Sequence, residues 1–321
     1  MKLIIQIPCH NEAATLPLVL AGLPAHIPGV DVIETLVIDD GSSDGTAELA
    51  RTMGVNHVVE LPTNVGLAQA FQRGLNTCLG QGADVIVNTD GDSQYDGADI
   101  VQLVAPVVAG RADVVIGDRQ VQQLAHFSPL KKRFQALGSW IVRGVSGAPV
   151  PDTVSGFRAY SREAALRLNV LTRFSYTLET IIQAGKLGLA IESVPVTSNP
   201  PTRPSRLQRS MWQFIKAQAS TTIRVYAFYE PLRTFFYLAA PFFVAGIILL
   251  TRFGYFYLTN QSGIGRYVQS VAIGTGFFLL GVLIALFGIQ ADIAAKHRQL
   301  TEEMLYRLKK LEFNREQTTD H

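Results

Sequence analysis

Two stretches in the last third of the chain limit what it can fold into. Residues 268–289 carry no charged side chain, and neither do residues 235–250. With Arg252 snorkelling to the interface, the earlier run continues to residue 258, so both reach the roughly 20 residues a bilayer core requires. They predict a transmembrane hairpin at residues 233–293, with spans at about 233–258 and 267–290. Length and apolarity argue against the alternative, a buried helical pair in a soluble core. Arg224 and Arg233 precede the hairpin and Lys296, Arg298, Arg307, Lys309 and Lys310 follow it, whereas only Arg252 and Arg266 lie between the spans. By the positive-inside rule, both termini and the region before the hairpin face the cytoplasm from a two-span cell-membrane anchor.

Residues 207–232 mix Trp212, Phe214 and Ile215 with Arg209, Lys216 and Arg224, which fits interfacial amphipathic helices. Residues 294–321 form a cytoplasmic helix. Its stripe of Ile293, Leu300, Met304, Leu305, Leu308 and Leu311 suits either the membrane interface or a coiled-coil contact in a homo-oligomer. The hydrophobic content of 48% has its excess in this last third, and the net charge of +2 argues against a nucleic-acid partner. Cys9 and Cys78 make neither a disulfide framework nor a zinc motif, so both are expected as buried core thiols.

Residues 1–206 read differently. Short β-branched runs at residues 3–7, 34–38, 56–60, 83–87 and 113–117 alternate with helical patterns at 12–23, 46–53 and 67–79. A last strand is expected at residues 194–196. This alternation predicts an α/β fold with a mostly parallel, Rossmann-like sheet, whose ligands gather outside the carboxyl ends of the strands. Three polar loops fall there: Pro8-Cys9-His10-Asn11-Glu12, Asp39-Asp40-Gly41-Ser42-Ser43-Asp44-Gly45-Thr46 and Asp90-Gly91-Asp92-Ser93-Gln94. Carboxylates at i and i+2 with an amide oxygen two further on offer the oxygen donors that Mg2+ or Mn2+ prefers. The same residue types also make ordinary turns and helix caps. No glycine-rich phosphate loop is present, so a nucleotide would be held by carboxylates and a metal.

These loops, with Asn64-Val65-Gly66, resemble glycosyltransferase family 2, the inverting GT-A group that uses nucleotide sugars. Asp152-Thr153-Val154-Ser155-Gly156-Phe157-Arg158-Ala159-Tyr160 resembles its polyprenyl-phosphate branch, the dolichol-phosphate mannose synthases and bacterial undecaprenyl-phosphate glycosyltransferases. The resemblance implies that Pro8, Glu12, Ile38 and Asp40 line the base and ribose pocket, with His10 and Asn11 in the same donor loop. His10 departs from the aromatic or small residue that relatives often carry. Asp90 and Gly91 would lie beside the ribose and diphosphate, and Asp92 and Gln94 would hold the metal. Arg203, in the proline-stiffened loop after the sheet, would close on the diphosphate. Arg119 and Arg133, with Ser205 nearby, would take the lipid phosphate.

Arginine suits that role because its planar fork matches phosphate and offsets crowded negative charge. A phosphate acceptor is mostly ionised near neutral pH and needs no general base. Asp152 either positions the nucleophile or sugar, or orders the turn from Ser155 to Arg158. Transfer to a sugar hydroxyl is the rival, yet Gln208-Arg209-Ser210-Met211-Trp212 lacks the Q-x-x-R-W order of polysaccharide synthases. A catalytically inactive membrane scaffold is a second rival, opposed by intact Asp40, Asp92 and Gln94. The two-span hairpin resembles bacterial lipid-linked glucosyltransferases, which implies UDP-glucose rather than GDP-mannose as donor.

Overall fold

The computed structural model describes residues 1–120, 143–144, 147, 150–170, 176–199, 227–259 and 268–319, with side chains as far as Phe313. Two compact units emerge: Met1–Thr222 with Glu302–His321, and Ile223–Thr301.

The first unit is built on seven strands: β1 (Lys2–Cys9), β2 (Val32–Asp39), β3 (His57–Glu60), β4 (Val85–Asn88), β5 (Val114–Asp118), β6 (Arg158–Ser161) and β7 (Ile191–Pro195). They lie in the order β3-β2-β1-β4-β6-β5-β7. All neighbouring pairs are parallel except those of β6, which runs against both β4 and β5. β1 is buried along nearly its whole length, as a central strand covered on both faces must be. The layers come from α1 (Leu16–Ala21), α2 (Thr46–Thr52), α3 (Leu67–Gly80), α4 (Ile100–Val108), α5 (Arg162–Arg167) and α6 (Tyr176–Lys186). α3 turns Ala68, Phe71, Leu75, Cys78 and Leu79 inward at helical spacing. Cys9 and Cys78 are both buried, as expected for core thiols.

Three differences from the expected elements matter. α1 is shorter than the 12–23 pattern because the Glu12 carbonyl accepts from both Thr15 N–H and Leu16 N–H, closing a turn before the helix starts. The last strand sits earlier, at Ile191–Pro195, in register from Val114↔Ile191 to Asp118↔Pro195. β6 departs from the expected turn there: Arg-Ala-Tyr-Ser contains no β-branched residue, and only pairing on both sides makes it a strand. Its reversed direction puts its amino end, and the 152–157 loop before it, at the carboxyl edge of the parallel strands.

In the second unit, α7 (Pro231–Leu258) and the first half of α8 (Val268–Thr319) are long and apolar enough to cross a bilayer. Only 11% and 22% of their most apolar windows are buried within the protein, unlike helices of a soluble core. They meet through glycines. A Cβ at Gly246 would lie 2.9 Å from both Gly274 O and Phe278 N, one at Gly281 3.2 Å from the Phe243 ring, and one at Gly288 2.7 Å from Phe235 Cβ. Gly274, Gly281 and Gly288 recur every seven residues and so share one helix face, which lets the partner approach closely. Arg298 lies over the rings of Phe228 and Tyr229, 4.0 and 4.5 Å from their centroids.

α8 does not stop where the sequence pattern separates span from tail. Its far end, in the first unit, docks beside α5: Tyr306 Oη donates to Glu163 Oε1 at 2.9 Å, and Lys309 Nζ donates to Asn169 Oδ1 at 2.7 Å. Tyr306, Lys309 and Phe313 are buried, while Leu300, Met304, Leu308 and Leu311 stay exposed. Most of the expected interfacial segment 207–232 lies outside the described residues.

Candidate active site

The carboxyl ends of β1, β2, β4 and β5 and the amino end of β6 share one edge of the sheet. Cys9 is level with Asp39, Gln6 with Asn88, and Arg158 with both Asn88 and Ile116. That register gathers five of the segments singled out in the sequence.

The first two loops brace each other. Asn11, at a left-handed φ of 55°, donates its N–H to Ser42 Oγ at 2.8 Å, and its Oδ1 accepts from Ser43 N–H at 2.8 Å. Ser42 Oγ in turn donates to Asp39. Asp44 accepts from Thr46 N–H at the mouth of α2 and from Ala13 N–H at 3.0 Å. Burial pushes its carboxyl up, but the bonds from Thr46 and Ala13 outweigh that and hold it below its ordinary value. His10 Nδ1 pairs with the Asp40 carbonyl at 2.8 Å. Asp40 itself is buried, and its carboxylate accepts from Val65 N–H at 2.7 Å and Gly66 N–H at 2.9 Å. It therefore anchors the Asn64-Val65-Gly66 turn. Ile38, two residues earlier, is fully buried in β2, and Pro8 is level with it in β1.

At β4 the site is crowded with carboxylates. Burial, then the charges of Asp92 and Glu12, push Asp90 up to about 7, against the pull of Arg119 and Arg158. Gly91 is packed so closely that an added Cβ would lie 2.9 Å from Cys9 Sγ and 3.3 Å from Glu12 Cγ. Thr15 Oγ1 lies 2.7 Å from the Gly91 carbonyl and 3.0 Å from Glu12 Oε2, with one proton shared between the two acceptors. Ser93 takes a left-handed φ of 59°, turning the chain so that Gln94 reaches back to Asp92, with Nε2 donating to Oδ2 at 2.7 Å. Among the described residues no three His, Cys, Asp or Glu side chains form a metal-holding group. The donor set still fits a hard cation: one carboxylate and one adjacent amide, beside the further carboxylates of Asp90 and Glu12, with the remaining oxygens to come from a ligand and water.

Arg119 and Asp152 form a forked pair, Nε to Oδ2 at 2.7 Å and Nη2 to Oδ1 at 3.0 Å. The Arg119 side chain is 16% exposed and that of Asp152 only 2%. Burial works against the guanidinium charge, but Tyr95 and Asp152 outweigh it and raise its pKa. Asp152 also accepts from Val154 N–H at 3.3 Å. It thus orients Arg119 as well as starting the loop.

Several residues beneath the site carried no assigned role in the sequence. Arg158 is fully buried and donates to the carbonyls of Ser155, Thr177 and Thr153 and to Thr180 Oγ1, at 2.8–3.0 Å. It pins the Gly156 loop to the start of α6. Asn88 donates to Gly156 O at 2.8 Å, Tyr95 Oη accepts from Gly156 N–H at 3.2 Å, and the Tyr95 ring stacks on Phe157. A Cβ at Gly156 would come within 2.6 Å of Tyr176 Oη and 3.1 Å of Asp90 Oδ1. The one available signal was the Ser-Gly-Phe-Arg block, whose purpose depends on β6 running backwards. Arg133, Arg203 and Ser205 lie outside the described residues.

The family model described as Glycosyl transferase family 2 matches residues 4–168. The chain is 31% identical over 207 residues to an undecaprenyl-phosphate mannosyltransferase of Micrococcus luteus, covering 61% of this chain and 83% of that one. It is 28% identical over 315 residues to the glycosyltransferase AglJ of Haloferax volcanii, covering 95% and 96%. In fold it is similar to a glucosyl-3-phosphoglycerate synthase of Mycobacterium tuberculosis, solved with Mn2+, UDP-glucose and phosphoglyceric acid. That match has a TM-score of 0.54 and 22% identity, covering 70% of this chain and 79% of that one.

Proposed function

The chain belongs to glycosyl transferase family 2, and from that premise we propose that it transfers a hexose from a nucleoside-diphosphate sugar to a polyprenyl phosphate. What supports this most is the meeting of Asp90 and the Asp92–Gln94 pair with the Arg119–Asp152 fork at one sheet edge. The Micrococcus relative is named for an undecaprenyl-phosphate acceptor and for mannose. Its name favours mannose over the glucose that the two-span hairpin implied.

In this proposal the loops after β1 and β2 seat the nucleotide. Asp40, whose carboxylate anchors the 64–66 turn, faces the base and ribose with Glu12. Asp92 and Gln94 hold a divalent cation, Mg2+ or Mn2+, which would act as a Lewis acid on the leaving diphosphate. Asp152 fixes Arg119 so that the donors outside the fork meet the acceptor phosphate, whose negative charge would otherwise repel the sugar diphosphate. Arg133 and Ser205 complete the acceptor site, and Arg203 serves the diphosphate. The acceptor attacks in line and inverts the anomeric carbon. It is already ionised, so the site needs no general base, and alignment of the reactants supplies much of the rate. The hairpin keeps the first unit at the cytoplasmic face, where the acceptor's head group lies.

The test uses the full chain in detergent with undecaprenyl phosphate, Mg2+ or Mn2+, and a panel of labelled nucleotide sugars that includes GDP-mannose and UDP-glucose. Label passing to the organic phase from one donor, and lost with EDTA and in Asp92→Ala, is the expected result. Nucleotide binding with metal but no labelled lipid from any donor would overturn the acceptor.

A further inference from the structure

Beyond β7 the chain returns to the Asp92–Gln94 turn and holds it from outside. Thr197 N–H donates to the Asp99 carboxylate, and Ser198 makes an antiparallel bridge with Tyr95. Asn199 then contacts two successive carbonyls: its backbone N–H donates to Gln94 O at 2.8 Å and its Nδ2 to Ser93 O at 3.2 Å. Ser93 sits between the expected cation ligands at a positive φ, a conformation that persists in a non-glycine residue only where its surroundings enforce it.

We propose that Asn199 is a positioning residue that keeps Asp92 and Gln94 in cation-binding geometry. The inference rests on the cation assignment made above. Within the turn Asp92 accepts twice from Gln94, from its backbone N–H at 3.1 Å (Oδ1) and from Nε2 at 2.7 Å (Oδ2). The second bond is given up when the amide rotates to present Oε1 to a cation, and the first then shares the Asp92 carboxylate with the cation. The backbone grip from Asn199 is unaffected by the rotation and so carries the turn in the loaded state. Partners behind the ligands have this effect at metal sites generally. Asn199 is exposed, so its truncation opens no cavity in the core.

Mn2+ binding by the purified full chain with UDP, followed by electron paramagnetic resonance, tests this without turnover. Asn199→Ala should weaken Mn2+ binding about fivefold to tenfold, the range expected for one lost hydrogen bond behind a ligand, while Asn199→Gln, which keeps an amide donor, recovers part of it. The melting temperature of metal-free Asn199→Ala should match the parent. Asp92→Ala, run in parallel, separates the two levels. Loss of Mn2+ in Asp92→Ala with parental binding in Asn199→Ala would overturn the role of Asn199 and leave the cation site standing. Parental binding in both would remove the cation site and this inference with it. A lower metal-free melting temperature that accounts for the weaker binding would make Asn199 a fold residue and overturn the proposal.

Discussion

Asp152 and Gly156 make the site at the level of single residues, and each can be probed by one substitution. Truncating Asp152 to Ala leaves the Arg119 guanidinium without its fork. The cost is roughly 2–4 kcal/mol, below the fully buried figure because Arg119 keeps 16% exposure. A lower melting temperature in detergent should accompany a raised KM for polyprenyl phosphate, with the KM for the nucleotide sugar little changed. Equal increases in both KM values would count against an acceptor role for Arg119. Gly156→Ala places a Cβ against Tyr176 Oη and both Asp90 oxygens. Activity should fall at least tenfold, because a displacement of about 1 Å at a reacting centre has large kinetic effects. Parental turnover in that variant would show that Asp90 tolerates movement. Asp40 teaches a related lesson: its place in the motif is plain, but its bonds to Val65 and Gly66 are visible only in three dimensions.

Among the elements, β6 and the hairpin depend most on neighbours. β6 aligns Asn88 with Arg158, and so brings the 152–158 loop to the site. In the proposed transmembrane hairpin, lipid is as apolar as the side chains, so association depends on close packing rather than on burial from water. At Gly246 the obstructing atoms are Gly274 O and Phe278 N, backbone that cannot swing aside. Gly246→Leu should therefore separate α7 from α8 and lower the detergent melting temperature. Gly254→Leu, at a position where an added Cβ meets nothing within 4 Å, should not. If the two variants behaved alike, the glycine contacts would not be what joins the helices.

For the whole molecule, the far end of α8 introduces a pH dependence. Burial lowers the Lys309 ammonium from its ordinary 10.5 to about 8. Between those values the unfolded chain binds more protons at this site than the folded one, so stability rises with pH across that window. Below about pH 8 both states are protonated and the contribution is constant. The parent should gain melting temperature relative to Lys309→Met between about pH 7.5 and about pH 9.5; parallel curves would refute the burial of the charge. Topology has its own test. Cys9 and Cys78 are buried, with thiols pushed up by that burial, so the background for maleimide labelling is low. A Ser262→Cys variant should label from outside intact cells, and labelling only after lysis would reverse the proposed orientation.

By itself the sequence determined the alternating strands and helices, the three acidic and polar loops at their ends, and two runs too apolar for a soluble surface. Each is a local matter of side-chain period, turn chemistry or transfer free energy, and each can be read within about 20 residues. Only the tertiary structure decided that β6 runs backwards, that Asp152 holds Arg119, that Asp40 is bound to a turn 25 residues away, and that the tail's Lys309 is buried. Those outcomes depend on which distant groups meet. A carboxylate's role follows from the donors around it, and chain-distant donors are chosen by packing rather than by the sequence beside it.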